Sequence, residues 1–441
     1  MRLYNSLLIG LLCAWSLAGC HRVSEQPVQL AASSTTTQAL FREVAAEVGL
    51  HFRWGRHNKP PRTILDTAAG GGGFIDYDQD GLLDILILGR RVALFHNEGA
   101  GRFRDVSAES GILVTGDLMG CAVGDFDNDG YPDLFITGYG IARLYRNEEG
   151  RGTFQDVTTR AGVGPSSRYA WASSAGFADL DSDGLLDLVV CHYVKFTPNT
   201  LQLCAYPGAE AGTACPPFYY EPQKIKVFRN RGGGKFQDVT AHFPPGNGNN
   251  LGLGFADFDE DGRLDFYVAN DALPGDLYHN LGSWQFANIG EESGTAYNQH
   301  GGTQAGMGVD WGDYDRDGRM DLIVTTFQNE PRSLYRNIGH GLFVYASYTA
   351  GIGDATLARL GFGVTFVDYD NDGFLDLLFA NGHVQDAIHA IHPPATYAQS
   401  MQLFRNMGNG VFGDVSEQGG PAFAKPIVGR AVAAGDYDND G

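Results

Sequence analysis

Basic residues, cysteines and long apolar segments are all scarce in this sequence. Its 31 Lys and Arg residues stand against 52 Asp and Glu residues, which gives a formal net charge of -21. Because a surface that binds nucleic acid must carry positive charge, this balance excludes nucleic acid as a partner. The apolar run at residues 6–18 is shorter than the roughly 20 residues that a membrane-spanning helix needs. The six cysteines include no C-x-x-C spacing, which excludes a zinc ribbon and covalent haem.

The first residues indicate an exported protein. A positive start at Arg2, an apolar core and the string Leu-Ala-Gly-Cys ending at Cys20 predict a signal peptide over residues 1–20. The string resembles the bacterial lipobox, which implies acylation of Cys20 and a cell-envelope lipoprotein; an ordinary signal peptide with an incidental cysteine is the alternative. The predicted location is the outer membrane or the cell surface. In a Gram-negative host, by the same analogy, His21 after the cysteine in place of Asp favours the outer membrane. Residues 21–40 lack apolar periodicity and are predicted to be a flexible spacer.

Four cysteines remain for the folded body. Export permits disulfides. Cys204 and Cys215 bracket a segment rich in Gly and Pro and are the predicted pair. Cys121 and Cys191 are predicted to be small buried residues rather than ligands.

One acidic nonapeptide, Asp-x-Asp-x-Asp-Gly-x-x-Asp, recurs along the chain. It begins at Asp76, Asp125, Asp179, Asp257, Asp313, Asp368 and Asp436. A second string, apolar-aromatic-x-Asn, ends at Asn97, Asn147, Asn230, Asn280, Asn337 and Asn406. A third, Phe-x-Asp-Val or a relative of it, begins at Phe41, Phe103, Phe154, Phe236, Phe286, Phe343 and Phe412. Repetition at a fixed order of strings is the signature of a repeat architecture.

Each repeat contains four predicted short strands, and the repeats recur every 49 to 78 residues without helical periodicity. This pattern predicts an all-β fold, a seven-bladed β-propeller over residues 41–441. The strand before each acidic loop is built from small residues, which suits innermost strands that crowd around an axis. The sequence stops at Gly441 inside the seventh loop, so we expect an incomplete last blade and a natural protein that continues.

The acidic loops predict calcium sites. Calcium takes six to eight oxygen ligands, and carboxylates at positions 1, 3 and 5 of a tight turn can converge on one point, with Gly at position 6, a carbonyl at position 7 and Asp at position 9. The predicted ligands are Asp76, Asp78, Asp80, Leu82, Asp84, Asp125, Asp127, Asp129, Tyr131, Asp133, Asp179, Asp181, Asp183, Leu185, Asp187, Asp257, Asp259, Asp261, Arg263, Asp265, Asp313, Asp315, Asp317, Arg319, Asp321, Asp368, Asp370, Asp372, Phe374, Asp376, Asp436, Asp438 and Asp440.

Six of these predicted sites are complete, and the seventh is partial. A single such loop is often a solvated turn, but carboxylates clustered in six registered copies would repel one another without a cation. Magnesium is disfavoured because it resists cages made wholly of protein oxygens. The predicted role of the metal is structural, and no catalytic residue or organic cofactor is predicted.

These strings resemble those of the FG-GAP/VCBS repeats of integrin α-type propellers, and most of all the ASPIC/UnbV (cartilage acidic protein-like) family. The resemblance covers residues 41–441 and rests on Leu144-Tyr145-Arg146-Asn147, Phe154-Gln155-Asp156-Val157-Thr158, Asp125-Phe126-Asp127-Asn128-Asp129-Gly130, Val268-Ala269-Asn270-Asp271 and Ala380-Asn381-Gly382-His383-Val384. It implies an extracellular, calcium-loaded interaction or adhesion module and no established reaction. In that family a C-terminal domain follows the repeats, and this sequence ends before it.

Unit lengths predict where a partner binds. From the last Asp of each loop to the following Asn string the distance is 13, 14, 43, 15, 16 and 30 residues. The two insertions, 192–224 and 382–402, are therefore expected on one face, opposite the metals, where they would bind protein or glycan. The alternative is a calcium-dependent polysaccharide lyase or hydrolase, which would need carboxylates that converge outside the metal loops. His389 and His392 are either surface residues or a metal-binding or catalytic pair, and we expect a monomer.

Overall fold

The computed structural model describes residues 39–54, 63–68, 70–206 and 212–440. The predicted signal peptide, Cys20 and nearly all of the predicted spacer lie outside these ranges. Within them, none of the helices combines the length and the apolar character that crossing a membrane requires.

The described chain forms six four-stranded antiparallel sheets, and in each the strands lie side by side in chain order. From the first strand to the fourth, blade 1 contains Gly71–Ile75, Asp84–Leu88, Val92–Asn97 and Phe103–Asp105. Blade 2 contains Leu118–Gly124, Asp133–Gly138, Ile141–Asn147 and Phe154–Asp156. Blade 3 contains Ala172–Ala178, Asp187–His192, Lys226–Asn230 and Phe236–Asp238. Blade 4 contains Asn250–Ala256, Asp265–Asn270, Asp276–Asn280 and Phe286–Asn288. Blade 5 contains Val309–Gly312, Asp321–Val324, Ser333–Asn337 and Phe343–Tyr345. Blade 6 contains Gly361–Val367, Asp376–Asn381, Gln402–Asn406 and Phe412–Asp414.

These blades confirm the predicted β-propeller of four-stranded repeats, but the prediction of seven blades is wrong for the described residues, which form six. The seventh acidic loop is present at residues 436–440, yet no strand is assigned on either side of it. The reason is pairing. A first strand needs a second strand to pair with, and the described residues end at Asp440, inside the loop.

Short helices and one extra hairpin complete the fold. The α-helical turns are Thr158–Ala161, Gly290–Ser293, Gly353–Thr356, Ile388–Ile391 and Pro421–Ala424. The 3₁₀ turns are Ile64–Asp66, Pro198–Thr200, Pro217–Tyr219, Thr240–His242 and Ser416–Gly419. The hairpin pairs Leu203–Cys204 with Thr213–Ala214 in the first insertion.

The hydrophobic core lies between neighbouring blades. One cluster joins Leu86 and Leu94 of blade 1 to Leu134 and Ile136 of blade 2, and all four side chains are buried. The second and third strands contain Leu, Ile and Val because each face of these strands packs against a neighbouring blade.

The first strands need small residues, as predicted, because they approach one another around the axis. A Cβ added to Gly308 would lie 2.0 Å from the Phe362 carbonyl oxygen, and one added to Gly252 would lie 2.1 Å from that of Met307. No side chain fits at such distances.

The Asn that ends each third strand joins its blade to the one before. The Nδ2 group of Asn337 in blade 5 donates to the Phe258 carbonyl of blade 4 at 2.8 Å. The same bond recurs around the ring, and Asn97 of blade 1 donates to the Tyr437 carbonyl of the seventh loop at 2.7 Å. Asn at this position is therefore an interblade residue.

Candidate metal centres and a cavity on the opposite face

Each acidic loop lies between the first and second strands. The carboxylate at position 1 accepts hydrogen bonds from backbone N–H groups later in the same loop. In blade 2, Asp125 accepts hydrogen bonds from the backbone N–H groups of Asp129 at 3.1 Å and Gly130 at 2.8 Å. Two residues of this turn are left-handed, Asn128 with φ 55° and Gly130 with φ 95°. The glycine at position 6 was expected to allow this bend, and the left-handed residue at position 4 was not.

The Asp at position 9 is buried in all six complete loops and accepts two backbone hydrogen bonds. Asp133 accepts from the N–H of Asn147 at 2.8 Å and from that of Phe126 at 3.1 Å. Burial dominates over these bonds and raises the pKa of the position-9 carboxyls. These pKa values are about 6 for Asp84 and Asp376, about 7 for Asp187 and about 8 for Asp133, Asp265 and Asp321.

The predicted carboxylates converge. One oxygen from each of Asp125, Asp127 and Asp133 lies within 4.8 Å of the others, and the same holds for Asp179, Asp181 and Asp187. Each position-7 residue, predicted to offer a carbonyl, donates its own N–H to the position-5 carboxylate. These residues are Leu82, Tyr131, Leu185, Arg263, Arg319 and Phe374.

The loops contain buried oxygens that have no protein partner. In five loops the Oδ1 atom of the position-3 carboxylate is buried and accepts no hydrogen bond within the described chain. These carboxylates belong to Asp78, Asp127, Asp181, Asp259 and Asp315. A buried carboxylate oxygen without a partner is costly unless a cation binds it. The donor set consists of hard oxygens, so these loops fit calcium.

The sequence reasoning missed a basic residue beside every complete loop. The residue before the Asn of each third strand is Arg or His. In five loops its side chain reaches the outer oxygens at positions 3 and 5, and in the first loop His96 reaches Asp78 at position 3 and Asp84 at position 9. Arg146, for example, lies 2.6 Å from both Asp127 and Asp129. The equivalent residues are His96, Arg229, His279, Arg336 and Arg405. The signal was available, because the x of the apolar-aromatic-x-Asn string is basic in all six copies.

Neighbouring loops also contact one another. The position-4 side chain Asn128 donates to the Gly184 carbonyl of the next loop at 2.8 Å. Asn439 of the seventh loop donates in the same way to the Gly81 carbonyl of the first at 3.0 Å. The partial seventh loop thus takes its place in the circle of loops, and Asp436 in it accepts from the Asp440 N–H at 3.2 Å.

The two insertions meet each other on the face opposite these loops. A disulfide joins Cys204 to Cys215 across the hairpin of the first insertion. Gln385 of the second insertion donates to the Ala214 carbonyl of the first at 2.7 Å and contacts the Thr213 hydroxyl. Sequence spacing predicted a common face for the insertions but not this contact.

A cavity of about 330 Å³ lies where the insertions meet. Apolar side chains line most of it, among them Leu251, Met307, Phe327 and Ile388. Polar groups enter from the ends of the second strands, namely Tyr193 after blade 3, Asp271 after blade 4 and His383 after blade 6. The cavity therefore lies at the end of the propeller that is remote from the acidic loops.

Two carboxylates face this cavity, and the sequence reasoning did not single them out as a pair. Asp271 accepts a hydrogen bond from the Tyr193 hydroxyl at 2.5 Å. Glu330, from the connection after the second strand of blade 5, accepts from the backbone N–H groups of Ala305 at 2.9 Å and Phe327 at 3.2 Å. Burial raises the pKa of both carboxyls, to about 6 for Asp271.

His383 is 1 % exposed, although its ring lines the cavity. Its Nδ1 atom accepts the backbone N–H of Gln385 at 2.9 Å, and its Nε2 atom has no hydrogen-bond partner in the described chain. Burial lowers the pKa of His383 to about 4, so the ring is neutral. Of the two histidines named as a possible pair, His392 lines the cavity and both are exposed on the surface.

Comparison with known proteins agrees with the repeats. Residues 76–136, 125–190, 218–268 and 257–324 each match the FG-GAP-like repeat, and together these segments span about half of the chain. Cartilage acidic protein 1 of Mus musculus is 25% identical over 349 residues, which cover 73% of this chain and 46% of the relative. The Homo sapiens protein is 25% identical over 350 residues, covering 73% and 45%. The chain thus spans about half the length of these curated relatives.

Several solved structures are similar at low identity. One is a lectin from Agrocybe aegerita that recognises non-reducing terminal N-acetylglucosamine, with 16% identity, a TM-score of 0.45 and coverage of 79% of each chain. Another is YCF48 bound to D1 peptide, with 8% identity, a TM-score of 0.43 and coverage of 83% of this chain and 88% of that one. An exotype rhamnogalacturonan lyase, YesX, has 17% identity, a TM-score of 0.36 and coverage of 76% and 57%.

Proposed function

Because the chain belongs to the FG-GAP-like repeat family, we propose that it is a calcium-stabilised interaction module that binds protein or glycan on its insertion face. One observation carries this proposal. The two insertions, which depart most from the repeat in length, come together over a cavity of about 330 Å³. A rigid ring of blades that presents variable connections on one face is a common design for recognition.

Calcium is proposed as the ion of the six complete loops. The carboxylates at positions 1, 3, 5 and 9 and the carbonyl at position 7 would hold it, and the unpartnered Oδ1 atoms at position 3 support this assignment. The basic residue from the third strand would orient the outer carboxylate oxygens. The ion would stiffen the turn between the first two strands of each blade.

Closure of the six-bladed ring through the seventh acidic loop and residues 41–50 is also proposed. Asn97 and Asn439 bond blade 1 to the seventh loop. Phe41 packs against Tyr369 at 6.0 Å between ring centroids, as Phe412 packs against Tyr314 at 5.5 Å. Residues 41–50 would therefore help to close the ring between blade 6 and blade 1.

The proposed location is the cell envelope, with Cys20 as the lipid-bearing residue and the outer membrane or the cell surface as the site. The sequence Leu-Ala-Gly-Cys supports it. Labelling with a radioactive or alkyne-bearing fatty acid in a bacterial host tests it, since Cys20→Ala should abolish the label and leave the protein unprocessed.

The proposed binding face is tested with a protein and glycan binding screen on the full chain in calcium. We expect ligands whose binding is lost when the 195–223 and 384–398 connections are replaced by two-residue turns. Glu260→Ala, an exposed change in the fourth acidic loop, is the matched control and should leave binding intact. Retained binding by the shortened chain, with its calcium-dependent melting unchanged, would contradict the proposal.

A polysaccharide lyase or hydrolase is the second candidate, and one observation favours it. Asp271 and Glu330 lie outside the metal loops and face one cavity, which is the arrangement such chemistry requires. Incubation with a panel of plant and bacterial polysaccharides tests it. Reducing-end or unsaturated products that disappear in Glu330→Gln would establish the enzyme, and their absence would leave the interaction module.

A further inference from the structure

We propose that the cavity between the insertions binds an alkylammonium group, that is, a protonated amine carried on an apolar stem. The inference rests on the proposed function, because it names the chemistry that the insertion face recognises. A lysine side chain of a partner protein and a small free amine both present this group.

The cavity contains negative charge that no cationic side chain in its described lining compensates. Asp271 and Glu330 both face the cavity, and none of the described residues that line it is Lys or Arg. Arg332 acts on Glu330 electrostatically, but its guanidinium donates to the Thr326 and Arg359 carbonyls at 3.0 Å each. Two carboxylates in apolar surroundings are costly without a cation, and a bound ammonium would supply it.

Hydrogen bonds from the protein hold each carboxylate in place. Tyr193 donates to Asp271, and two backbone N–H groups donate to a single oxygen of Glu330. Bonds of this kind favour the ionised form and fix its orientation. The remaining oxygens of these side chains are therefore positioned acceptors, and an ammonium group has three N–H donors to offer them.

Aromatic and apolar side chains form the walls of the cavity. Tyr193, Phe218 and Phe327 line the cavity, and aromatic faces attract cations within about 6 Å. Leu251 and Met307 provide apolar surface for the stem of the ligand. A neutral sugar would leave the two carboxylates uncompensated, so the charge favours the amine over a polyol.

His383 adds a requirement on the rest of the ligand. Because the backbone N–H of Gln385 must donate to Nδ1, the neutral ring carries its proton on Nε2. This N–H is buried and has no partner in the described chain, so it can donate a hydrogen bond to an oxygen of the ligand next to the ammonium stem. A neutral ring also avoids repelling the cation.

The test is calorimetric titration of the full chain in millimolar calcium. The probes are n-pentylamine and Nα-acetyl-lysine amide, with n-pentanol and glucose as neutral counterparts. We expect at least one of the amines to bind, and n-pentanol and glucose to bind at least tenfold more weakly.

Asp271→Asn and Glu330→Gln should each weaken amine binding at least tenfold, and Phe218→Ala, an exposed change at the rim, about threefold. Glu221→Gln, an exposed carboxylate of the first insertion that pairs with Lys195 at 2.7 Å, is the control and should bind as the parent does.

The outcomes separate the inference from the proposed function. Preference for Nα-acetyl-lysine amide would point to a protein ligand, and preference for pentylamine to a small amine. Equal binding of pentanol, tighter binding of glucose, no binding of any amine, or indifference to both charge-removing variants would overturn the inference. If macromolecular ligands are then still lost on shortening the insertions, the proposed function stands without it; if they are not, both fail. If Asp271→Asn or Glu330→Gln has a lower melting temperature than the parent in calcium, the effect of Phe218→Ala on amine binding decides whether the inference holds.

Discussion

The two faces of this propeller differ in what they repeat. On one face, the six complete loops share the same turn, a buried Asp at position 9 and a basic neighbour, Arg or His, from the third strand. On the other, the connections between the second and third strands range from a tight turn in blade 2 to insertions in blades 3 and 6 that meet over a cavity. Repetition of this kind maintains a shape common to all blades, whereas divergence creates a single site. The first face is therefore expected to govern stability and the second face binding.

Removal of calcium should give the largest effect and should act on the first face alone. If each site has a Kd near 10⁻⁴ M, millimolar calcium stabilises the fold by about 1.4 kcal/mol per site, or roughly 8 kcal/mol over six sites. Differential scanning calorimetry in excess EDTA should show a melting temperature lower by more than about 10 °C. Magnesium is the control and should restore little. Unchanged melting in EDTA would contradict a structural role for the metal.

A single buried carboxylate of the first face should matter next. Asp321→Asn leaves a side-chain N–H₂ facing the backbone N–H of either Asn337 or Tyr314, which lie 2.8 Å and 3.3 Å from the two carboxylate oxygens. We expect a loss of about 3 kcal/mol in urea unfolding with calcium present. Asp354→Asn, an exposed change in a short helical turn, should cost less than about 0.5 kcal/mol. Equal costs would show that the buried carboxylate has no special role.

Acid should reveal the second face, through buried histidines. Burial lowers the pKa of both His192 and His383 to about 4. The unfolded chain takes up these protons near pH 6.5 and the folded chain does not, so this contribution to stability is intact above pH 6.5 and is lost as the pH falls toward 4. At pH 4.5 each histidine should cost about 2 to 3 kcal/mol relative to pH 7. Urea unfolding of His383→Gln should therefore lose less stability on acidification than the parent, with His242→Gln, at an exposed residue, as the control.

The interblade asparagine sharpens the comparison, because its side chain joins the acidic loops of two neighbouring blades and is not itself a predicted calcium ligand. Asn337→Ala removes hydrogen bonds to the Phe258 and Met320 carbonyls at 2.8 Å and 3.1 Å and leaves both without that donor. We expect a loss of about 2 kcal/mol that is the same with and without calcium. A loss confined to the calcium-loaded protein would show that Asn337 stabilises the fold only through the metal sites.

The smallest effect on global stability is expected from the disulfide. Cys204 and Cys215 are 11 residues apart in sequence, within one hairpin of the first insertion. Replacement of both by Ser should shift the melting temperature by less than about 2 °C, because the blades do not depend on this hairpin. Binding at the insertion face should weaken, since Thr213 and Ala214 of the same hairpin contact Gln385. A large drop in the melting temperature with unchanged binding would reverse the assignment of roles to the two faces.

The sequence by itself determined the repeat and, through it, the blades, the position of every acidic loop and the common face of the insertions. These follow from local chemistry, because Asp, Gly and small or β-branched residues at fixed spacing dictate turns and strands whatever surrounds them. The sequence also placed Asn at the end of each third strand, but it did not predict that the Asn side chain donates a hydrogen bond to the preceding blade.

Only the tertiary structure decided the rest. The number of complete blades depends on pairing between strands, and the pairing of Arg or His with each loop depends on how the third strand lies against the first turn. The carboxylates of Asp271 and Glu330 are 59 residues apart and come from different blades, yet they face one cavity because the ring brings equivalent strand ends to its axis. No local pattern encodes such a meeting, since it arises from closure of the ring.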